Sequence, residues 1–128
     1  MANELYDKGL AVRKEVLGAE YVERQLAAAD DFNTPMQELV TQSCWGWLWA
    51  RPQMPRKMRS LVNLGILSAL NRPLEFKTHV KGALKNGCTK DEIREVLLQV
   101  AVYCGMPAGV EAFRLAREAF NEAGGEKR

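Results

Sequence analysis

Apolar residues along this chain recur with helical spacing, and no sustained alternation of apolar and polar positions marks a strand. Helix punctuation is frequent. Asn3 is placed to cap a first helix reaching Leu17, stopped by Gly18, and a short second helix covers Glu20 to Ala29 before breaking at Asp30–Asn33. Thr34 caps a third, with Pro35 at its first position, where a missing N–H does no harm; it runs to about Ala50. After a turn at Arg51–Pro52 and Met54–Pro55, a helix extends from near Pro55 to Leu70. Asn71 caps the next, which has Pro73 near its start and ends at Asn86–Gly87, a glycine suited to the left-handed closing conformation. Thr89 and Glu92 have capping-box spacing, the clearest start signal, and that helix continues to Cys104. Gly105 and Pro107 separate it from a final helix ending near Ala123, with Gly124–Arg128 as a tail. The pattern predicts an all-α bundle of about six to seven helices in a single domain, residues 1–128.

Two of these helices are apolar around nearly their whole circumference. Leu61, Val62, Leu64, Ile66, Leu67, Ala69 and Leu70 encircle one, and Val96, Leu97, Leu98, Val100, Ala101, Val102 and Tyr103 encircle the other. A helix apolar all round must be covered all round, and a 128-residue chain has few elements to do it. A homo-oligomer that buries the remainder is therefore expected.

Composition narrows the function classes. The 18 basic and 16 acidic residues leave a net charge of +2, too balanced for a nucleic-acid binder. The one dense basic patch, Arg51 to Arg59, is interrupted by Pro52 and Pro55. Leu61 to Leu70, broken by Asn63 and Ser68, is too short to span a membrane. The three cysteines, Cys44, Cys88 and Cys104, are odd in number and widely spaced, and no export signal precedes them, so reduced thiols in a cytoplasmic protein are expected.

Candidate chemistry lies where polar residues interrupt apolar faces. Arg59 and Asn63 are four apart at the mouth of the apolar helix from Pro55. Arg59 can there hold a carboxylate by two parallel hydrogen bonds, or form an ion pair with Glu95 or Glu75. On the helix from Pro73, Phe76, Val80, Ala83 and Leu84 form the apolar side and Lys77, Lys81 and Lys85 a solvated one. Glu75, His79 and Gly82 lie between them. Glu75, one turn before the chain's sole histidine, can fix its tautomer and raise its pKa, making a proton donor usable near neutral pH. A lone histidine is more often structural. The segment from Cys44 to Trp49 holds all three tryptophans, read either as core or interface, or as a flat pocket wall at Trp45 opened by Gly46. Tyr103, near the end of an apolar helix, is open in the same way.

Taken together, these segments resemble the carboxymuconolactone decarboxylase family over roughly the whole chain. The resemblance is carried by Cys44-Trp45-Gly46 through Arg51-Pro52, by Arg59-Ser60-Leu61, by Glu75-x-x-x-His79-Val80, and by Asn86-Gly87 followed by Asp91 through Tyr103-x-Gly105-x-Pro107-Ala108. It implies an alkylhydroperoxidase D-like helical fold assembled as trimers or hexamers. It also implies decarboxylation of 4-carboxymuconolactone to 3-oxoadipate enol-lactone in protocatechuate breakdown, or of a close carboxylated lactone. The carboxylate lost sits γ to the lactone carbonyl, so its electrons pass through the double bond into that carbonyl, and protonation at the α carbon follows. The substrate supplies its own electron sink, so no metal or organic cofactor is expected. For that chemistry, His79 is expected to be the proton donor, oriented by Glu75, with Arg59 and, after it, Arg51 binding carboxylates, Trp45 helping to desolvate the departing one, and Tyr103 contacting the substrate. Trp47 stands where such decarboxylases commonly have Glu, and Leu74 where they tend to have His; both bear on the substrate. Peroxidase relatives use Cys-x-x-Cys-x-x-x-His, but the matching positions before His79 are Arg72 and Glu75, so thiol peroxidase activity is not expected. A different lyase or isomerase on a small carboxylated acid, or a non-catalytic oligomeric binding protein, is the alternative.

Overall fold

A computed structural model of the chain describes residues 2–126, and all of its regular elements there are helical. Two compact units divide the chain, one up to Pro55 and one from Arg56 onward.

The N-terminal unit holds α1 (Ala2–Leu17), α2 (Ala19–Ala27) and α3 (Thr34–Leu39), the last continuing into a π-helical segment, Val40–Trp49. Gly18, at φ 98°, ends α1 as expected. The helix starts at Ala2, one residue before the predicted cap Asn3, whose side chain lies outside the described residues. Asn33 rather than Thr34 precedes α3, and Pro35 lies in its first turn. The Thr34 hydroxyl instead donates back to the Asp30 carbonyl at 2.7 Å, while Oδ1 of Asp30 accepts from the Phe32 and Asn33 N–H groups. α1 packs on the π-helical segment backbone to backbone. A Cβ on Gly9 would collide with the Thr41 carbonyl and lie 2.7 Å from the Gly46 nitrogen, and one on Gly46 would collide with the Leu5 carbonyl. Gly46 thus serves close helix packing rather than opening a pocket. The core beside this crossing is Val12, Val16, Trp45 and Trp49.

In the C-terminal unit, α4 (Arg56–Ala69), α5 (Pro73–Lys85), α6 (Lys90–Cys104) and α7 (Met106–Glu126) pack around Leu64, Phe76, Val80, Ile93, Leu97 and Ala119. α7 runs three residues past its expected end at Ala123, and residues 127–128 of the expected tail lie outside those described. The Thr89–Glu92 capping box is fully formed, with the Glu92 N–H donating to the Thr89 hydroxyl at 3.0 Å and the Thr89 N–H to the Glu92 carboxylate at 2.9 Å. Asn71 has a different role from the one expected. It sits at φ 59° and closes α4, its N–H reaching the Ser68 carbonyl while the Arg72 N–H reaches Leu67, and Arg72 precedes α5. The same paired bonds recur where Gly87 closes α5, from Gly87 to Leu84 and from Cys88 to Ala83. Lys77 and Lys81, expected in solvent, are half-buried and pair with Glu118 and Glu122 of α7; their ammonium groups hold the Glu122 carboxyl down to about 2.

The apolar surplus of α4 and α6 is visible in this unit. Met58, Val62, Ile66 and Leu70 form an exposed ridge at four-residue spacing along α4, and Leu98, Val102 and Tyr103 are exposed on α6. Among the described residues, no helix is long and apolar enough to cross a membrane.

Candidate active site

Two helices of the C-terminal unit bring polar groups together inside apolar surroundings. α4 faces the core with Ser60 and Leu64, so Arg59 and Asn63 lie on one flank of it, while Leu61 and Gly65 lie on the other. α5 buries Phe76 and Val80, which leaves His79 half-buried on the edge next to α4. There Asn63 Nδ2 lies 3.2 Å from His79 Nδ1. With the amide donating, Nδ1 is an acceptor, and the ring proton of the neutral imidazole resides on Nε2.

The protonation of His79 corrects the expectation drawn from spacing. Burial disfavours the imidazolium and pushes the pKa down to about 4; the nearby Glu75 carboxylate acts in the opposite sense and is outweighed. Glu75 is itself exposed, where its charge is well screened. His79 is therefore a neutral hydrogen-bond donor at physiological pH, not an acid with a raised pKa.

Arg59 lies one turn before Asn63 on the same flank. Its Nε is buried without a hydrogen-bond partner, and among the described residues it makes no ion pair with Glu95 or Glu75. An orphaned buried N–H costs about 1–3 kcal/mol, so a site that keeps one retains capacity to bind an acceptor. Arg59, Asn63 and His79 thus share the α4–α5 side of this unit.

The remaining predicted residues fall elsewhere. Tyr103, 83% exposed, lines an open, mostly apolar groove of about 370 Å³ between α4 and α6, with Leu61, Val62, Gly65 and Gln99. His79 and Tyr103 consequently approach α4 from opposite flanks. Trp45 takes the core reading of the two its segment allowed: it is 3% exposed, stacks on Trp49 with ring centroids 5.0 Å apart and clusters with Val12 and Val16 of α1. Trp47 carries the exposed aromatic surface of that segment, with the Arg51 guanidinium 5.1 Å above its ring. Burial pushes the Cys44 and Cys88 thiols up, the opposite of what a peroxide-attacking thiol requires. Among the described residues, no three His, Cys, Asp or Glu side chains gather in a metal-binding group.

Sequence reading passed over one residue altogether. Arg13 of α1 is 6% exposed, and its Nη1 donates to Gln37 Oε1 at 3.0 Å and Thr41 Oγ1 at 3.2 Å. Its partners lie 24 and 28 residues away in sequence, so no local spacing signals it.

Similarity to known proteins places this chain in a family. A nitrosuccinic acid decarboxylase from Metarhizium robertsii is 47% identical over 118 residues, covering 92% of this chain and 82% of that protein. A 4-carboxymuconolactone decarboxylase from Acinetobacter baylyi is 42% identical over 119 residues, covering 93% of this chain and 89% of that protein. A 4-carboxymuconolactone decarboxylase from Pseudomonas putida matches over a shorter stretch, 44% identical across 41 residues, 32% of this chain and 85% of that protein. Residues 34–118 match the model of the carboxymuconolactone decarboxylase family, and the chain belongs to that family, as a decarboxylase.

Proposed function

We propose that this chain decarboxylates a small acid carrying two carboxylates, one of which leaves while the other anchors the molecule. 4-Carboxymuconolactone, or a close carboxylated lactone, is the first candidate, and nitrosuccinate is a second, favoured by the 47% identical relative. The two share a chemical logic. In each, the departing carboxylate leaves electrons that an acceptor within the substrate takes up, a conjugated lactone carbonyl in one and a nitro group in the other. Negative charge develops on an oxygen in both cases, and that oxygen is where the protein must act.

The observation that carries the proposal is the orphaned Nε of Arg59 one turn from the Asn63–His79 pair. Arg59 holds the retained carboxylate, with two parallel bonds available from its guanidinium. His79, fixed by Asn63, presents Nε2–H to the developing oxyanion. A neutral imidazole suits this role because it stabilises the oxyanion as a donor without first binding a proton from solvent. Glu75 biases His79 electrostatically, and Tyr103, on the other flank of α4, is a further candidate contact. The exposed ridge on α4 and the exposed apolar residues of α6 support assembly into a homo-oligomer, a trimer or hexamer.

The test supplies purified protein with 4-carboxymuconolactone and, separately, nitrosuccinate, and follows carbon dioxide release beside His79→Gln and Arg59→Met variants. Turnover of one substrate, with kcat lowered roughly 100-fold or more in His79→Gln and KM raised in Arg59→Met, is the expected result. Near-normal turnover by His79→Gln would remove His79 from the chemistry. Absence of carbon dioxide from both substrates would direct the search to other small carboxylated acids.

A further inference from the structure

Arg13 presents an unusual electrostatic situation for a folded protein. The guanidinium retains its proton at any physiological pH, yet the side chain is 6% exposed. Buried charges are ordinarily paired, because removing one from water costs several kcal/mol. Among the described residues, no carboxylate pairs with this one. Its hydrogen-bond partners are neutral, the amide of Gln37 and the hydroxyl of Thr41, and the Tyr21 and Tyr6 phenols and the Cys44 thiol lie near it.

The geometry of those contacts is selective. Gln37 and Thr41 both bind through Nη1, which leaves the edge formed by Nε and Nη2. Nε on that edge is buried and lacks a partner. The two N–H bonds of this edge run parallel at the spacing of the two oxygens of a carboxylate. The position is also rigidly built. Arg13 lies one turn beyond Gly9, where α1 meets the π-helical segment backbone to backbone, and Thr41 belongs to that segment. Insertions of π-helical winding occur frequently at functional sites.

We propose that Arg13, oriented by Gln37 and Thr41, is the anchor of a carboxylate-binding site in the N-terminal unit, with the carboxylate held on its Nε–Nη2 edge. Arg13 lies outside residues 34–118, the segment matched by the family. The site does not depend on the assignment of His79 or Arg59. The carboxylate is that of a small dicarboxylic acid bound separately from the substrate that Arg59 holds.

Succinate is the probe, since it carries two carboxylates and no electron sink for decarboxylation. Thermal unfolding of the whole chain is followed across a succinate titration, with sodium chloride at matched ionic strength as control. A saturable rise of several degrees is expected for the wild type and its loss for a folded Arg13→Met variant. A wild type that succinate does not stabilise beyond the salt control overturns the proposal, as does an equal shift in Arg13→Met. Should Arg13→Met fail to fold, the Arg13 Nε–H resonance of the wild type decides: it moves on succinate addition if the site is real and stays in place if Arg13 is a purely structural cation. Stabilisation that follows protein concentration rather than succinate would mean that another copy of the chain supplies the carboxylate, and would also overturn it. With an active substrate in hand, an unchanged KM in Arg13→Met supports the separate ligand, and a KM raised roughly tenfold or more overturns it.

Discussion

The two units bury a nitrogen base in opposite ways. In the C-terminal unit His79 sheds its proton, and Asn63 supplies the hydrogen bond that suits the neutral ring. In the N-terminal unit Arg13 cannot do so; burial lowers its pKa, but a guanidinium stays charged, and Gln37 and Thr41 solvate it with neutral oxygens. The difference teaches what each side chain is prepared for. A neutral imidazole suits an oxygen that gains charge during a reaction, whereas a permanent cation suits one that already carries it.

The most forceful way to break this comparison is to change pH. Because the folded pKa of His79 lies near 4 and its unfolded value near 6.5, the unfolded chain binds the extra proton first. Stability is therefore highest above about pH 6.5 and falls as pH drops toward 4, by up to roughly 3 kcal/mol from this group. Arg13 contributes no slope in that window. Denaturant unfolding at pH 7 and pH 4.5 measures the loss, and His79→Gln should remove most of it. The single histidine gives a single imidazole titration by NMR, and a midpoint near 6.5 would abolish the contrast.

Backbone packing gives the next effect. Gly46→Ala drives a methyl into the Leu5 carbonyl, which cannot swing aside, and should cost about 1–3 kcal/mol in chemical unfolding. Gly65→Ala in the C-terminal unit meets only Val96 Cγ1 at 4.0 Å and should instead be neutral or stabilising by up to about 1 kcal/mol, as a mid-helix alanine. Equal losses would show that the close approach of α1 is not special. Thr89→Ala removes half of the capping box on α6 and should cost about 1 kcal/mol, readable as a drop in the melting midpoint. Smallest is Arg51→Gln. This cation rests on an exposed Trp47 ring, so its loss should cost at most about 0.5–1 kcal/mol in chemical unfolding.

Local signals in the sequence were reliable where chemistry is decided within one turn. Thr89 with Glu92, Pro35 in a first helical turn and glycines 18 and 87 at helix ends all stand where spacing put them. Asn71 misled because Asn serves both as a cap and as a left-handed terminator, and the choice between them belongs to the backbone on both sides. The π-helical winding of Val40–Trp49 has no local marker, so the expected helix was right in extent but not in winding, and Trp45 turned inward. The candidate site was half legible. Spacing found Arg59, Asn63 and His79, but it saw Glu75 beside the ring and not the burial that outweighs it. Arg13 was illegible because what distinguishes it is tertiary: depth, distant neutral partners and an unfilled hydrogen-bonding edge.

The two orphaned Nε atoms, on Arg13 and Arg59, also bear on any attempt to engineer this protein for heat resistance. A stabilising screen would reach these positions early, since exchanging a buried cation for a shape-matched apolar side chain often raises the melting temperature. Variants selected on melting temperature alone would then lose both proposed carboxylate anchors, and a library ranked by heat resistance would need a separate screen for binding and turnover.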